Sequence, residues 1–423
     1  MQKKWYRLDT AALIFPVIRR RDWCNVVRMS ATLTEEVDPS LLQRAAEDLR
    51  HRFPSFYVSL HTGMFWHYLE EYSGPIRVQQ DYAYPLTYMS GSEMKRCCLR
   101  VFYYRNRIAI EFFHVITDGR GGCTYLANLL RRYLTLKYGV NVPSGGILKE
   151  PEEAPKPEEL EDSFLKYGAK VAASRAESKS YRLHGHKEAA GFRHLITGIV
   201  DSDALLAAAH RYKVSVTAYL AAVMAKSIIE MQNTEVPLAL RRPVKITIPV
   251  DLRRLYGSET LRNFSLVLNL GVDPRFGSYT LQDLCTSISS QLRTYATPQY
   301  MAGMIAANVL PQQLPLLRAV PIGVKGVVMN SVYRRSGESG GCLNISNLGQ
   351  LKLPDEMEQH IRRLEFIIGP QRSYPNNCSI LSYGGRTYIN MIRNIRESEL
   401  ERRFFSALVE EGLAVDIESN RWE

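Results

Sequence analysis

His114 and Asp118 stand four residues apart in the run Phe113-His114-Val115-Ile116-Thr117-Asp118-Gly119. Together they are the side chains of this sequence best suited to proton transfer. A free imidazole titrates near ~6.5, so its neutral form can take up a proton at ordinary cellular pH. An apolar stretch ends at the histidine and a polar turn follows. At such a place a side chain can face a cavity while the sheet holds its backbone. Asp118 sets a carboxylate nearby, Gly119 is expected to turn the backbone with positive φ, and Gly121-Gly122 to let it pass close to another element. H-x-x-x-D spacing alone fits a structural histidine better; the glycine and the strand-to-helix setting raise the odds of chemistry.

Competing constellations have plainer readings. His184-x-His186 has no third ligand at useful spacing and reads as part of a flexible basic loop, so no metal is expected. Seven cysteines (24, 97, 98, 123, 285, 342 and 378) form no C-x-x-C pair, and none sits in a nucleophile motif. A zinc ribbon and a disulfide framework are therefore not expected. The glycine-rich stretches at 119–122, 339–341 and 384–385 lack the spacing of a P-loop or dinucleotide fingerprint.

The elements that must position His114 follow from periodicity. Strands are expected at 25–33, 99–104 and 108–113, the last two forming a hairpin around Arg105-Asn106-Arg107. A second hairpin is expected from 56–60 and 64–69. One helix begins at Asp38-Pro39, and another runs from Cys123 to Tyr138 after the turn TDGRGG. Residues 139–162, rich in proline and glutamate, read as a solvated linker or crossover. The second half repeats the alternation, with strands at 194–200, 244–250, 264–270, 343–347, 364–368, 379–383 and 387–391. Its helices are expected at 201–212, 215–231, 281–295, 354–364 and 397–412. This gives an N-terminal unit over 1–145, a linker over 146–190 and a C-terminal unit over 191–423.

Composition bounds the rest. Of 423 residues, 45% are hydrophobic and 23% charged, which excludes a disordered or fibrous chain. The net charge of +11 favours anionic partners without choosing among them. No run of about 18 apolar residues occurs. The short run Ala11–Phe15 is stopped by Pro16, too short for a signal peptide. A cytoplasmic protein without membrane insertion is the expectation, and nucleic acid is not an expected partner.

With the H-x-x-x-D-G motif in place, three more motifs complete a resemblance. His51-Arg52-Phe53-Pro54 closes the early strand–helix unit. Ile248-Pro249-Val250-Asp251-Leu252-Arg253 precedes Arg262-Asn263-Phe264, and Asn344-Ile345-Ser346-Asn347-Leu348-Gly349 comes late. In this order they resemble the chloramphenicol acetyltransferase-like superfamily, which includes condensation domains and alcohol O-acetyltransferases. Phe113 replaces the first of two adjacent histidines common in part of that superfamily; the second, catalytic one is present.

The resemblance implies an α/β (α+β) fold of two similar lobes, each a mixed sheet covered by helices, with a tunnel between them. It implies an acyltransferase with His114 as general base, acetyl-CoA or another acyl-CoA as co-substrate, and a small alcohol or amine as acceptor. The alternative is an enzyme taking its acyl group from an acyl carrier protein; a catalytically inactive binding or scaffold protein is the reading from another class. Asp118 and Gly119 would shape the loop, with Arg253 as first choice of partner for Asp118 and Arg19-Arg20-Arg21 as second. The relay reading would instead put Asp118 against the imidazole. A tetrahedral oxyanion needs hydrogen-bond donors, for which Asn263, Ser346 and Asn347 are candidates; Ser346-Asn347 could equally close a turn. Asp251 reads as a loop brace. Arg19–Arg21 and Arg241-Arg242 read as solvated, with the phosphates of coenzyme A as the sharper alternative.

Overall fold

The computed structural model of the chain describes residues 4–420 apart from 22, 24, 175, 190–191, 334–338 and 372–373. Cys24 and the expected boundary at 190/191 lie outside the described residues. Two sheets organise the molecule. The first has five strands in the order Ile361–Ile368, Val26–Leu33, Arg107–Phe113, Leu99–Tyr104, Val78–Gln80. All its pairs are antiparallel except Val78–Gln80 against Leu99–Tyr104. The second has seven, in the order Ser265–Val272, Val244–Asp251, Leu343–Gln350, Asn376–Tyr383, Arg386–Arg393, His194–Asp201, Val415–Ser419. Leu343–Gln350 runs parallel to both neighbours; the other pairs are antiparallel. Each sheet is mixed and covered by helices.

The first sheet is backed by the helices Pro39–Asp48 and Gly119–Tyr138, whose Leu42, Ala45, Leu126, Leu129, Leu130 and Leu134 enter one core. Asp38 caps the first helix by accepting from Ser40 N (2.8 Å) and Leu41 N (3.1 Å). The second sheet packs on Val216–Glu235, a helix buried from Ala218 to Ile229 except at Lys226, with Leu281–Tyr295 and Glu399–Glu410 beside it. Among the described residues no single helix is long and apolar enough to cross a membrane. One bent pair, Ser202–Arg211 with Val216–Glu235, passes by length and composition at 75°, and its longer member lies inside this core.

Three local expectations are corrected. The run TDGRGG is not a turn before a helix at Cys123. The helix starts at Gly119, because Asp118 caps it directly. Residues 354–364 are not helical throughout: one turn, Asp355–Glu358, gives way to the strand Ile361–Ile368, which gains ladder hydrogen bonds from Val26–Leu33. That strand also carries the late part of the chain into the first sheet. Nor is 139–162 uniformly solvated: Glu159 is 1% exposed and receives both Arg52 amino groups, each at 2.8 Å.

Candidate active site

His114 directly follows the last residue of the strand Arg107–Phe113. Its backbone N–H donates to Asn25 O at 2.9 Å, and Asn25 adopts φ +51, a left-handed conformation that asparagine tolerates. The imidazole stacks on Phe15 (centroids 4.4 Å apart) and lines a cavity of about 1570 Å³ that takes residues from both sheets' halves. His114 Nδ1 lies 2.9 Å from Asn263 Oδ1, and Nε2 has no hydrogen-bond partner among the described residues.

Asp118 borders the same cavity, but its carboxylate is fully engaged elsewhere. Oδ1 accepts from Arg120 N (3.2 Å), Gly121 N (3.3 Å) and Arg253 Nη2 (3.0 Å). Oδ2 accepts from Arg253 Nη1 and Phe264 N, both at 2.9 Å. Arg253 is thus the guanidinium that Asp118 meets, in the bidentate geometry that makes such pairs strong. Burial pushes the Asp118 carboxyl up, yet Arg253 and the backbone donors outweigh it and hold it below the usual carboxylate range. Nothing joins Asp118 to the imidazole. Arg253 also donates to Asp251 Oδ1 (3.0 Å), Thr260 O (2.6 Å) and Arg262 O, so one side chain ties the helix start to the loop of the second half. Asp251 is part of this brace.

Gly119 does not adopt positive φ, contrary to expectation: it is the first helical residue after the Asp118 cap. What it supplies is room, since a Cβ there would lie 2.8 Å from Leu348 Cδ2. Gly121 is tighter, a Cβ meeting Thr117 Oγ1 at 2.0 Å and Leu261 O at 2.4 Å. Thr117 Oγ1 itself donates to Leu261 O at 2.6 Å, a second tie between the halves.

The three oxyanion candidates part company. Asn263 is corrected: Nδ2 donates to His114 O (3.0 Å) and Asp9 Oδ2 (3.1 Å), so both amide hydrogens are spent and none is left for an oxyanion. Asn347 closes the turn, Oδ1 accepting from Gly349 N (2.8 Å), while Nδ2 gives one hydrogen to Thr217 Oγ1 (3.0 Å) and keeps the other. Ser346 lines the cavity, its hydroxyl without a hydrogen-bond partner among the described residues. Sequence reading missed Thr217, which lines the cavity and accepts from Asn347, leaving its own hydroxyl proton to give.

It also missed the N-terminal segment. Asp9 is 0% exposed, accepts from Ala12 N (2.8 Å) and faces Arg262 Nη2 at 3.7 Å. Burial pushes its carboxyl up, against the pull of Arg262. Thr10 N and Oγ1 donate to Asp162 Oδ2 at 2.8 and 2.9 Å. Burial and the neighbouring Asp9 carboxylate push Asp162 up to about 6. Only the adjacency of Asp9 to the apolar run Ala11–Phe15 could have flagged it.

Arg19 is tied to Met89 O (2.7 Å) and stacks over Tyr88, and Arg241 donates to Val236 O (3.1 Å). The basic clusters Arg19–Arg21 and Arg241-Arg242 do not line the cavity; Arg120 and Arg254 do. Among the described residues no group of three or more His, Cys, Asp or Glu side chains could hold a metal ion. His184 and His186 instead approach Glu235 and Glu397.

Two mixed sheets share a cavity at their junction, and likeness to solved structures shows that this is the chloramphenicol acetyltransferase-like fold. The chain is similar to TRI3 trichothecene 15-O-acetyltransferase from Fusarium sporotrichioides (TM-score 0.63, 11% identity, 97% of this chain and 94% of that one). It is similar to TRI101 from F. graminearum, solved with coenzyme A and T-2 mycotoxin (0.64, 10%, 98% and 100%). It is also similar to polyketide synthase associated protein 5 from Mycobacterium tuberculosis (0.62, 16%, 96% and 97%). No protein-family model and no curated protein sequence matches the chain.

Proposed function

We propose that the protein is an acyltransferase that moves an acetyl or other short acyl group from acyl-CoA to the hydroxyl of a small acceptor, with His114 as general base. One observation carries this reading: His114 lines the shared cavity with Nδ1 engaged by Asn263 and Nε2 without a partner among the described residues. In the reaction the acceptor oxygen attacks the thioester carbon while its proton passes to Nε2. The carbon–sulfur bond of the tetrahedral intermediate then breaks, and the leaving thiolate takes the proton back from the imidazolium. Ser346, Thr217 and the second amide hydrogen of Asn347 are donors available to the oxyanion among the described residues. Arg120 and Arg254, cavity-lining guanidiniums with no carboxylate partner among the described residues, suit the phosphates of coenzyme A. The likeness to a polyketide synthase associated protein supports a second reading in which the acyl donor is a loaded carrier protein.

The test is thiol release from a panel of acyl-CoA donors against alcohols and amines, with a loaded carrier protein as a separate arm. Acceptor-dependent release should fall at least ~100-fold in a folded His114→Ala variant, the lower end of a general-base contribution. Near-normal turnover in that variant would sink the assignment. Release from the carrier arm alone would favour the second reading, and silence in every arm would favour a binding protein.

A further inference from the structure

We infer that Asp9 and Asn263 are positioning residues that fix His114 in its Nδ1–H tautomer; this rests on the reading of His114 as the base. An asparagine amide can present either end to a neighbour, and the surrounding acceptors decide which. Asn263 faces two acceptors with one end, the His114 carbonyl oxygen at 3.0 Å and the Asp9 carboxylate at 3.1 Å. The carbonyl oxygen cannot donate in return, so the NH₂ group must lie there whatever the protonation of Asp9. Oδ1 is then left facing His114 Nδ1 at 2.9 Å. An amide oxygen only accepts, so Nδ1 carries the hydrogen. The lone pair stays on Nε2, where the base needs it.

Turning the amide over would set its oxygen against two acceptors and its NH₂ against Nδ1. Nδ1 would become the acceptor and Nε2 would carry the hydrogen, so the base would be blocked. Asp9 is what makes that flip costly, because the His114 carbonyl alone would leave one amide hydrogen without a partner. Asp9 is in turn held firmly. It is fully buried, bonded to Ala12 N and faced by Arg262, and the next residue, Thr10, is tied to Asp162. The same segment supplies Phe15, whose ring stacks on the imidazole and limits its tilt. The strand Trp5–Arg7, paired with His67–Glu71, leads this segment into place.

The experiment is a ¹⁵N–¹H correlation spectrum of the histidine-labelled full chain, with the His114 signals assigned by their loss in His114→Gln. Wild type should show the Nδ1–H pattern. Asp9→Ala should populate the Nε2–H form and lower kcat by up to the ~100-fold that a general base supplies, with KM for the acyl donor little changed. Asp9→Asn, which keeps an accepting oxygen, should retain most of the wild-type pattern, and it serves in place of the alanine variant should that one not fold. A wild-type Nε2–H signature, or an Nδ1–H signature untouched by Asp9→Ala, overturns the inference whatever happens to turnover. The tautomer is read without any substrate. A shift as expected in a protein that releases thiol from no donor would therefore count against the acyltransferase reading and leave the positioning role standing.

Discussion

Asp118 and Asp9 accept from the neighbouring residues Phe264 and Asn263 and are both almost wholly removed from water, yet burial wins at one and loses at the other. Asp118 accepts five hydrogen bonds, two of them from the fork of Arg253, and its carboxyl is held low. Asp9 has the backbone of Ala12 and Asn263, the Asn263 amide and an arginine no nearer than 3.7 Å, with Asp162 as a neighbour of like charge, and its carboxyl is pushed up. Desolvation is common to both. Donor count and guanidinium geometry set the sign. The first carboxylate is therefore suited to locking two halves of the chain together, and the second to orienting an amide without gripping it.

The largest expected effect tests the lock. Removing one partner of a buried pair leaves an uncompensated charge, so Asp118→Ala and Arg253→Ala should each cost ~3–5 kcal/mol in denaturant unfolding. The double variant should cost far less than the sum of the two. Strict additivity would break the comparison, because it would mean that the two residues stabilise the fold separately.

Gly121→Ala comes next. Its Cβ would press on Thr117 Oγ1 and on the Leu261 carbonyl, the latter being backbone that cannot swing aside. Overpacking of this kind costs ~1–3 kcal/mol and should loosen the same junction without touching a charge. A melting temperature equal to that of wild type would show that the helix start is not clamped as described.

The smallest effect sharpens the other side. The folded-state value of Asp162 is raised from 3.8 to about 6. Its contribution is therefore fully favourable below the unfolded value and is lost as pH rises through the folded one. Asp162→Asn lacks this step, so the difference in melting temperature between variant and wild type should move in favour of the variant as pH rises from 3.8 to about 6. Asp118 has the opposite sign: its lowered value adds stability above 3.8 that fades as pH falls further. A pH-independent difference for Asp162→Asn would remove the contrast.

Much of this was legible in sequence, for identifiable reasons. The strand 107–113 and the helix through Tyr138 have strong periodicity, and the Asp118–Arg253 pair sits in two motifs whose order already pointed to a lobe junction. Asp9 and Phe15 were not legible. They ride on a three-residue strand and short helical turns, where no period can develop and position depends on pairing with His67–Glu71. The role of Asn263 was misread because residue type tells what an amide can donate, not that its hydrogens are already spent. The strand at 361–368 was half hidden because its partner lies at the far end of the sequence.

That last pairing bears on how the chain is made. Leu33 meets Ile361 only after most of the protein has left the ribosome, so Val26–Leu33 waits through synthesis with one edge unpaired. A bare, apolar strand edge is a template for sticking to other chains, and distant pairings form slowly because the intervening chain must first be drawn together. Expression of residues 1–145 alone would release that edge permanently. For this fold the N-terminal half is a nascent-chain liability that the final quarter of the sequence resolves.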